Sequence, residues 1–109
     1  MVEDGVYVHS GGSQRSTLRG RDAVAAWVSA LNEMWSSDYA LEQTFAFATD
    51  QAFVIEYAES GTADLGPNAL DRSFSLHNVF VGELQDGRIT RITDYADMLA
   101  YKEQVELDQ

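Results

Sequence analysis

One amphipathic helix followed by four long strand-patterned stretches limits what this chain can fold into more than any other feature. In residues 20–35, Val24, Trp27, Val28, Leu31 and Trp35 recur at helical spacing. Gly20 serves as a tolerable N-cap, Asp22 complements the positive end of the helix dipole, and Ser36-Ser37-Asp38 punctuates the close. From Tyr39 onward the apolar period shortens to two. Residues 39–48 carry Tyr39, Leu41, Phe45 and Phe47, and Thr49-Asp50-Gln51 reads as a hairpin loop. Residues 53–60 put Phe53, Ile55, Tyr57 and Glu59 on one face, with Val54, Glu56 and Ala58 on the other. Residues 61–70, with Gly66, Pro67 and Asn68, read as a loop. Residues 72–84 send Phe74, Leu76, Asn78 and Phe80 one way and Ser75, His77, Val79 and Val81 the other, and Gly82 reads as a bulge or bend.

The last strand has the sharpest turn signal. Asp86-Gly87 supplies the two positions that tolerate the positive φ of a tight hairpin, so a strand is expected from about Ile89. Alternation places Thr90, Ile92 and Asp94 on one face and Ile89, Arg91, Thr93 and Tyr95 on the other. Asp94 thereby shares a face with Ile92 and becomes a carboxylate in apolar surroundings if that face is enclosed. Before the helix, Val6-Tyr7-Val8-His9 reads as a short strand ended by the turn-rich Ser10-Gly11-Gly12-Ser13. After the last strand, residues 98–105 read as a short closing helix and residues 106–109 as an acidic tail.

One helix and a meander of antiparallel strands predict an α+β domain in which a curved sheet wraps a helix and leaves a pocket. The 109 residues make one domain, 1–109, large enough for a core without staples. Eighteen acidic against seven basic residues give a formal charge of −11, which disfavours nucleic acid and anionic membrane surfaces as partners. Cysteine is absent, which excludes disulfides and thiolate chemistry. No apolar run reaches membrane-spanning length, so a cytoplasmic protein is the default expectation. His9 and His77 have no metal-ligand spacing, and neither a metal nor an organic cofactor is expected.

Gly20-Arg21-Asp22-Ala23-Val24 opening the helix, Glu56-Tyr57 on a middle strand, and Asp86-Gly87-Arg88-Ile89-Thr90 running into Asp94-Tyr95 resemble the nuclear transport factor 2-like superfamily. Within it the chain is most similar to SnoaL-like proteins and limonene epoxide hydrolase. The resemblance implies a cone-shaped sheet and a pocket for a small hydrophobic molecule. It also implies a homodimer through the outer sheet face, where Glu56, Arg91 and Tyr95 lie beside Val54, Val79 and Val81. The superfamily normally places helices before its first short strand. This chain starts almost at that strand, so those N-terminal helices are expected to be missing.

Limonene epoxide hydrolase holds a water with a tyrosine and an asparagine two residues apart, uses an aspartate as base, and protonates the epoxide through an Arg-x-Asp pair. Tyr7 matches the tyrosine, His9 stands in the asparagine's place, and Asp94 matches the base. The Arg-x-Asp pair aligns with Tyr57-Ala58-Glu59, so the arginine is absent and the acid is one methylene longer. If Asp94, Glu59, Tyr57, Tyr7 and His9 converge, two carboxylates without an arginine between them disfavour double ionisation and leave one acid and one base. Asp94 is then the expected proton acceptor, with Glu59 or Tyr57 as donor. The structural alternative has Glu59 at an exposed strand end and Asp94 capping a backbone amide. Trp27, Leu31, Phe53, Ile55, Leu76, Asn78, Phe80 and Ile92 are the expected pocket walls. Asn78 interrupts an apolar face, and a buried amide needs partners from ligand, water or a structural network. A catalyst, a ligand-binding module and a dimerisation domain are all compatible with this set of residues.

Overall fold

The computed structural model describes residues 1–11, 14–34, 36–63 and 71–106. Gly12-Ser13, Trp35, the Pro67 loop and most of the acidic tail lie outside those residues. The elements run β1 (Val6–Gly11), β2 (Gln14–Arg19), α1 (Arg21–Met34), β3 (Ala40–Ala48), β4 (Ala52–Ala63), β5 (Arg72–Gln85), β6 (Arg88–Tyr95) and α2 (Met98–Tyr101), closing with a π-helical turn at Lys102–Glu106. All strands join one curved sheet in the order β2-β1-β6-β5-β4-β3.

The expected meander is present in β3 to β6, where each strand pairs antiparallel with the next. Two features depart from the sequence reading. Of the turn-rich segment after His9, Ser10 and Gly11 extend β1, Gly11 pairs with Gln14, and residues 14–19 form a strand with Leu18 as its only large apolar side chain. With one apolar position, that strand carries almost no periodicity of its own and forms because β1 supplies its ladder. The second departure is that β1 runs parallel to β6, with Tyr7 beside Ile92 and His9 beside Asp94. The sheet is therefore mixed. Because the two strands are far apart in sequence, no local pattern could reveal that pairing.

Local chemistry accounts for the joints. Asp86 and Gly87 have φ of 53° and 76°, the left-handed pair that matches the twist of a two-residue hairpin. Gly20 has φ 93°, donates to Gly5 O at 2.8 Å and accepts from Val24 N at 3.2 Å, so the helix starts from a conformation a larger residue would strain. Thr49 closes the β3–β4 loop by accepting the N–H groups of Gln51 and Ala52 through its hydroxyl, both at 3.2 Å.

Two bulges redirect side chains that simple alternation misassigns. The β3–β4 register shifts between Gln43 and Phe45, so Leu41 and Gln43 pair with Glu59 and Tyr57 while Phe45 and Phe47 pair with Glu56 and Val54. Phe45 and Phe47 thus lie on the outer face, not with Leu41. The β5–β6 register shifts at Glu83/Leu84, which puts Ile89 opposite Leu84 on the inner face and leaves Thr90 to hydrogen-bond Glu83 O. Gly82 has another reason to be glycine besides this nearby irregularity. A Cβ there would collide with the Phe53 ring.

Helix α1 covers the inner face over β1 and β2, with Trp27 against Tyr7 at 4.9 Å between ring centroids. At the opposite side of the sheet, every residue of β3 is exposed. The Cα radius of gyration, 15.3 Å, exceeds the roughly 13 Å of a compact domain this size, because the β3 side of the sheet extends beyond the helical cover. The closing segment instead covers the edge of β5 over residues 72–78, which lie beyond the end of β6. Gln104 bonds both Ser75 N and Ser75 O through its amide, at 2.7 and 3.0 Å, Tyr101 meets Phe74 edge-on, and Val105 is buried. No described helix is long and apolar enough to cross a membrane.

Candidate functional site

The centre of the inner face is polar, and one carboxylate organises it. Asp94, 6% exposed, accepts from the Tyr7 hydroxyl at 2.8 Å through Oδ2 and from the Tyr57 hydroxyl at 3.0 Å through Oδ1. Both tyrosines are buried as well. The topology makes this convergence: β6 lies between β1 and β5, and β4 lies beyond β5, so strands remote in sequence point one side chain each at the same spot.

Asn78 fixes the direction of the network. Its Oδ1 accepts the backbone N–H of Asp97 at 2.8 Å, which turns Nδ2 toward the Tyr57 oxygen at 3.2 Å. With a donor already on its oxygen, Tyr57 directs its own proton to Asp94. Asn78 is therefore part of a structural network, and every polar atom it presents is used. Asp97 in turn caps α2 by accepting from Ala100 N at 3.0 Å, which ties the closing segment to the site.

Burial pushes the Tyr7 phenol far above its ordinary ionisation range, and the Asp94 carboxylate raises it further. Tyr57 is raised by the same two causes, opposed by the Asn78 donor. Both phenols therefore stay protonated donors at neutral pH.

Glu59 belongs to a neighbouring pair rather than to this cluster. It is half-buried and accepts from the Tyr39 hydroxyl at 2.5 Å, with no direct bond to Asp94. Its charge nonetheless contributes to raising Tyr7, Tyr39 and Tyr57. Tyr39 is thus a site residue that sequence reasoning passed over. Its signal was an aromatic hydroxyl opening a strand, indistinguishable from ordinary strand composition. His9 is half-buried, in register with Asp94 on the same face, and makes no hydrogen bond to it among the described residues.

The expected walls surround this core unevenly. Phe80 stacks on Tyr57 at 4.5 Å and 17°, Ile92 lies beside Tyr7 in register, Trp27 packs on Tyr7, and Leu76 is buried two positions from Asn78. Leu31 is half-buried on α1. Phe53 and Ile55 stand farther along β4, where they border a shallow depression of about 260 Å³ with Ala46 and Phe47. A larger depression, about 630 Å³, lies between the β3–β4 and β5–β6 turns, lined by Thr49, Gln51, Leu84 and Asp86. None of the chemistry-bearing residues lines either depression. Among the described residues no group of three or more His, Asp or Glu side chains could hold a metal.

Solved structures with the same architecture share little sequence. A phenazine biosynthesis-related protein from Pseudomonas aeruginosa aligns over 95% of this chain and 69% of its own, at 22% identity and TM-score 0.75. A putative SnoaL-like polyketide cyclase from Jannaschia sp. CCS1 aligns over 98% of this chain and 74% of its own, at 16% identity and TM-score 0.75. A putative polyketide cyclase from Xanthomonas campestris pv. campestris aligns over 96% and 78%, at 25% identity and TM-score 0.69. No curated protein sequence matches the chain. The family profile of the SnoaL-like domain matches residues 1–92, most of the chain. The match of that profile, together with the long helix α1 packed on a six-stranded curved sheet, makes the protein a member of the SnoaL-like domain family, within the nuclear transport factor 2-like superfamily.

Proposed function

We propose that the inner face binds a small, largely apolar molecule and performs cofactor-free acid–base chemistry on it, with Asp94 as the proton acceptor. The observation that carries this reading is the buried Asp94 carboxylate with one phenol on each oxygen. Each carboxylate oxygen has two lone pairs, and each phenol takes one, so an acceptor position remains for an acidic C–H or a water. When Asp94 takes that proton, its hold on the phenols weakens. Tyr7 or Tyr57 can then turn its hydrogen to an oxygen of the substrate on which negative charge develops. The arrangement suits isomerisation, dehydration, epoxide opening or aldol-type ring closure. The polyketide cyclase names of two structural neighbours support the last by analogy.

The test is solvent deuterium incorporation next to the carbonyl of small apolar ketones, together with hydration of apolar epoxides. Asp94→Asn should abolish either activity while Glu59→Gln retains it. Turnover that survives Asp94→Asn removes Asp94 from the role.

A second reading, a non-catalytic dimerising module, is favoured by the outer face. Phe45 and Phe47 are 55% and 60% exposed beside Val54, Val79, Val81 and Tyr95. We propose that a second copy of the chain covers them, an arrangement compatible with either role of the inner face.

A further inference from the structure

We infer that residues 97–106 form a strap that opens as one unit, and that its docking holds Asn78, and through it Tyr57, in the Asp94 network. The inference concerns the closing segment itself and does not rest on the inner face being a ligand site. Phe74, Leu76 and Asn78 alternate on the inner face of β5, opposite Gly61, Glu59 and Tyr57. The strap lies against that row. Asp97 donates its N–H to Asn78 Oδ1 at 2.8 Å, and Tyr101 meets Phe74 edge-on at 5.4 Å between ring centroids. Farther on, Gln104 accepts from Ser75 N–H through Oε1 and donates to Ser75 O through Nε2, the two bonds a neighbouring antiparallel strand would exchange there. Strand β6 pairs with β5 only as far as Val79, so this side-chain amide takes over beyond its end.

The strap is too short to keep its shape alone. Helix α2 has four residues and the π-helical turn five, fewer than an isolated helix needs to persist in water, so the segment stays helical only while it rests on β5. Release and unfolding of the strap are then one event. Water can replace the Gln104 bonds, which keeps that event cheaper than parting the β4–β5 ladder. Its consequence reaches the centre of the sheet. Asn78 is 2% exposed, and the Asp97 N–H occupies its Oδ1. When that donor leaves, the amide is no longer fixed, and neither is the hydrogen that its Nδ2 gives to the Tyr57 oxygen at 3.2 Å. Such coupling is reciprocal: removing the Tyr57 oxygen leaves the Asn78 amide without its acceptor in the docked state and favours release. Tyr7, bonded to the other oxygen of Asp94, stands outside this route.

Native-state hydrogen exchange, read by NMR on the isotopically labelled full chain at low urea, tests both statements. The Ser75 and Asp97 amides should exchange through one opening, with the same urea dependence and at least tenfold faster than the amides of the β4–β5 ladder. Gln104→Ala should speed both at least fivefold, although Asp97 lies at the other end of the strap, and leave the ladder unchanged. Tyr57→Phe should speed both at least threefold, whereas Tyr7→Phe should leave both at the wild-type rate. Should Tyr57→Phe fail to fold, the Asn78 side-chain amide hydrogens carry the second statement, and they should exchange at least fivefold faster in Gln104→Ala.

Exchange of Ser75 and Asp97 only together with the ladder overturns the strap, as does a Gln104→Ala variant in which Ser75 speeds up and Asp97 does not. Equal effects of Tyr57→Phe and Tyr7→Phe, or unchanged Asn78 side-chain exchange in Gln104→Ala, overturn its coupling to the Asp94 network. None of these measurements uses a ligand, so turnover that survives Asp94→Asn removes the catalytic reading and leaves the strap standing.

Discussion

Tyr57→Phe is the substitution that best probes the Asp94 network, because it deletes one oxygen and leaves the ring on Phe80. That oxygen makes two hydrogen bonds, donating to Asp94 at 3.0 Å and accepting from Asn78 at 3.2 Å. Losing a hydrogen bond to a carboxylate costs about 1.5–3 kcal/mol, and leaving the Asn78 amide hydrogen unpaired in a site only 2% exposed adds on the order of 1 kcal/mol. Tyr7→Phe removes a single bond, at 2.8 Å, and should cost only the first amount. Tyr57→Phe should therefore be the more damaging by about 1 kcal/mol, although its bond to Asp94 is the longer of the two. Urea unfolding followed by far-ultraviolet circular dichroism measures both, with an unchanged m-value as the check that only the native state is altered. In an Asn78→Leu background the extra cost of Tyr57→Phe should vanish, giving a coupling of about 1 kcal/mol. If Tyr7→Phe proves the costlier, or the cycle is additive, Asn78 does not orient Tyr57 and the network is misread.

Three further outcomes are expected. Because Tyr7, Tyr57 and Tyr39 are all raised, chiefly by burial, the unfolded chain loses their protons first. Stability should be fully present below about pH 10 and fall as pH rises beyond it; a melting temperature as steep against alkaline pH in Tyr7→Phe/Tyr57→Phe as in the wild type would contradict this. Gly82→Ala should destabilise by about 1–3 kcal/mol through collision with the Phe53 ring, and Phe53→Leu should recover most of the loss in thermal melts. Phe45→Ser with Phe47→Ser should shift sedimentation toward monomer with little change in circular dichroism, and an unchanged sedimentation coefficient would remove the outer face as a dimer interface.

The residues that share the inner face of β4 and β5 are legible in the amino-acid sequence, because an uninterrupted strand obeys a period of two and Tyr57, Glu59, Leu76, Asn78 and Phe80 sit on such runs. The same rule fails at Phe45, Phe47 and Ile89. One extra residue in a ladder reverses the face of everything beyond it, and a bulge leaves no mark in composition. Alternation places Glu59 on the correct face and gives it the wrong company. Parity assigns a side to a residue but no partner, and the partner is Tyr39 on the neighbouring strand.

By itself, the sequence determined that one helix would pack on a sheet of long strands, that Asp86-Gly87 would turn the last hairpin, and that Asp94 would face inward. These follow from φ preferences and from periods of 3.6 and 2, which act within a few residues. Only the tertiary structure decided what Asp94 does there. Its bond to Tyr7 spans 87 positions and exists because β1 adds to β6 in parallel, and its bond to Tyr57 spans 37 because β5 lies between their strands. The reason is physical: pairing between distant strands depends on closing long loops and on burying the shared face, and neither quantity is local.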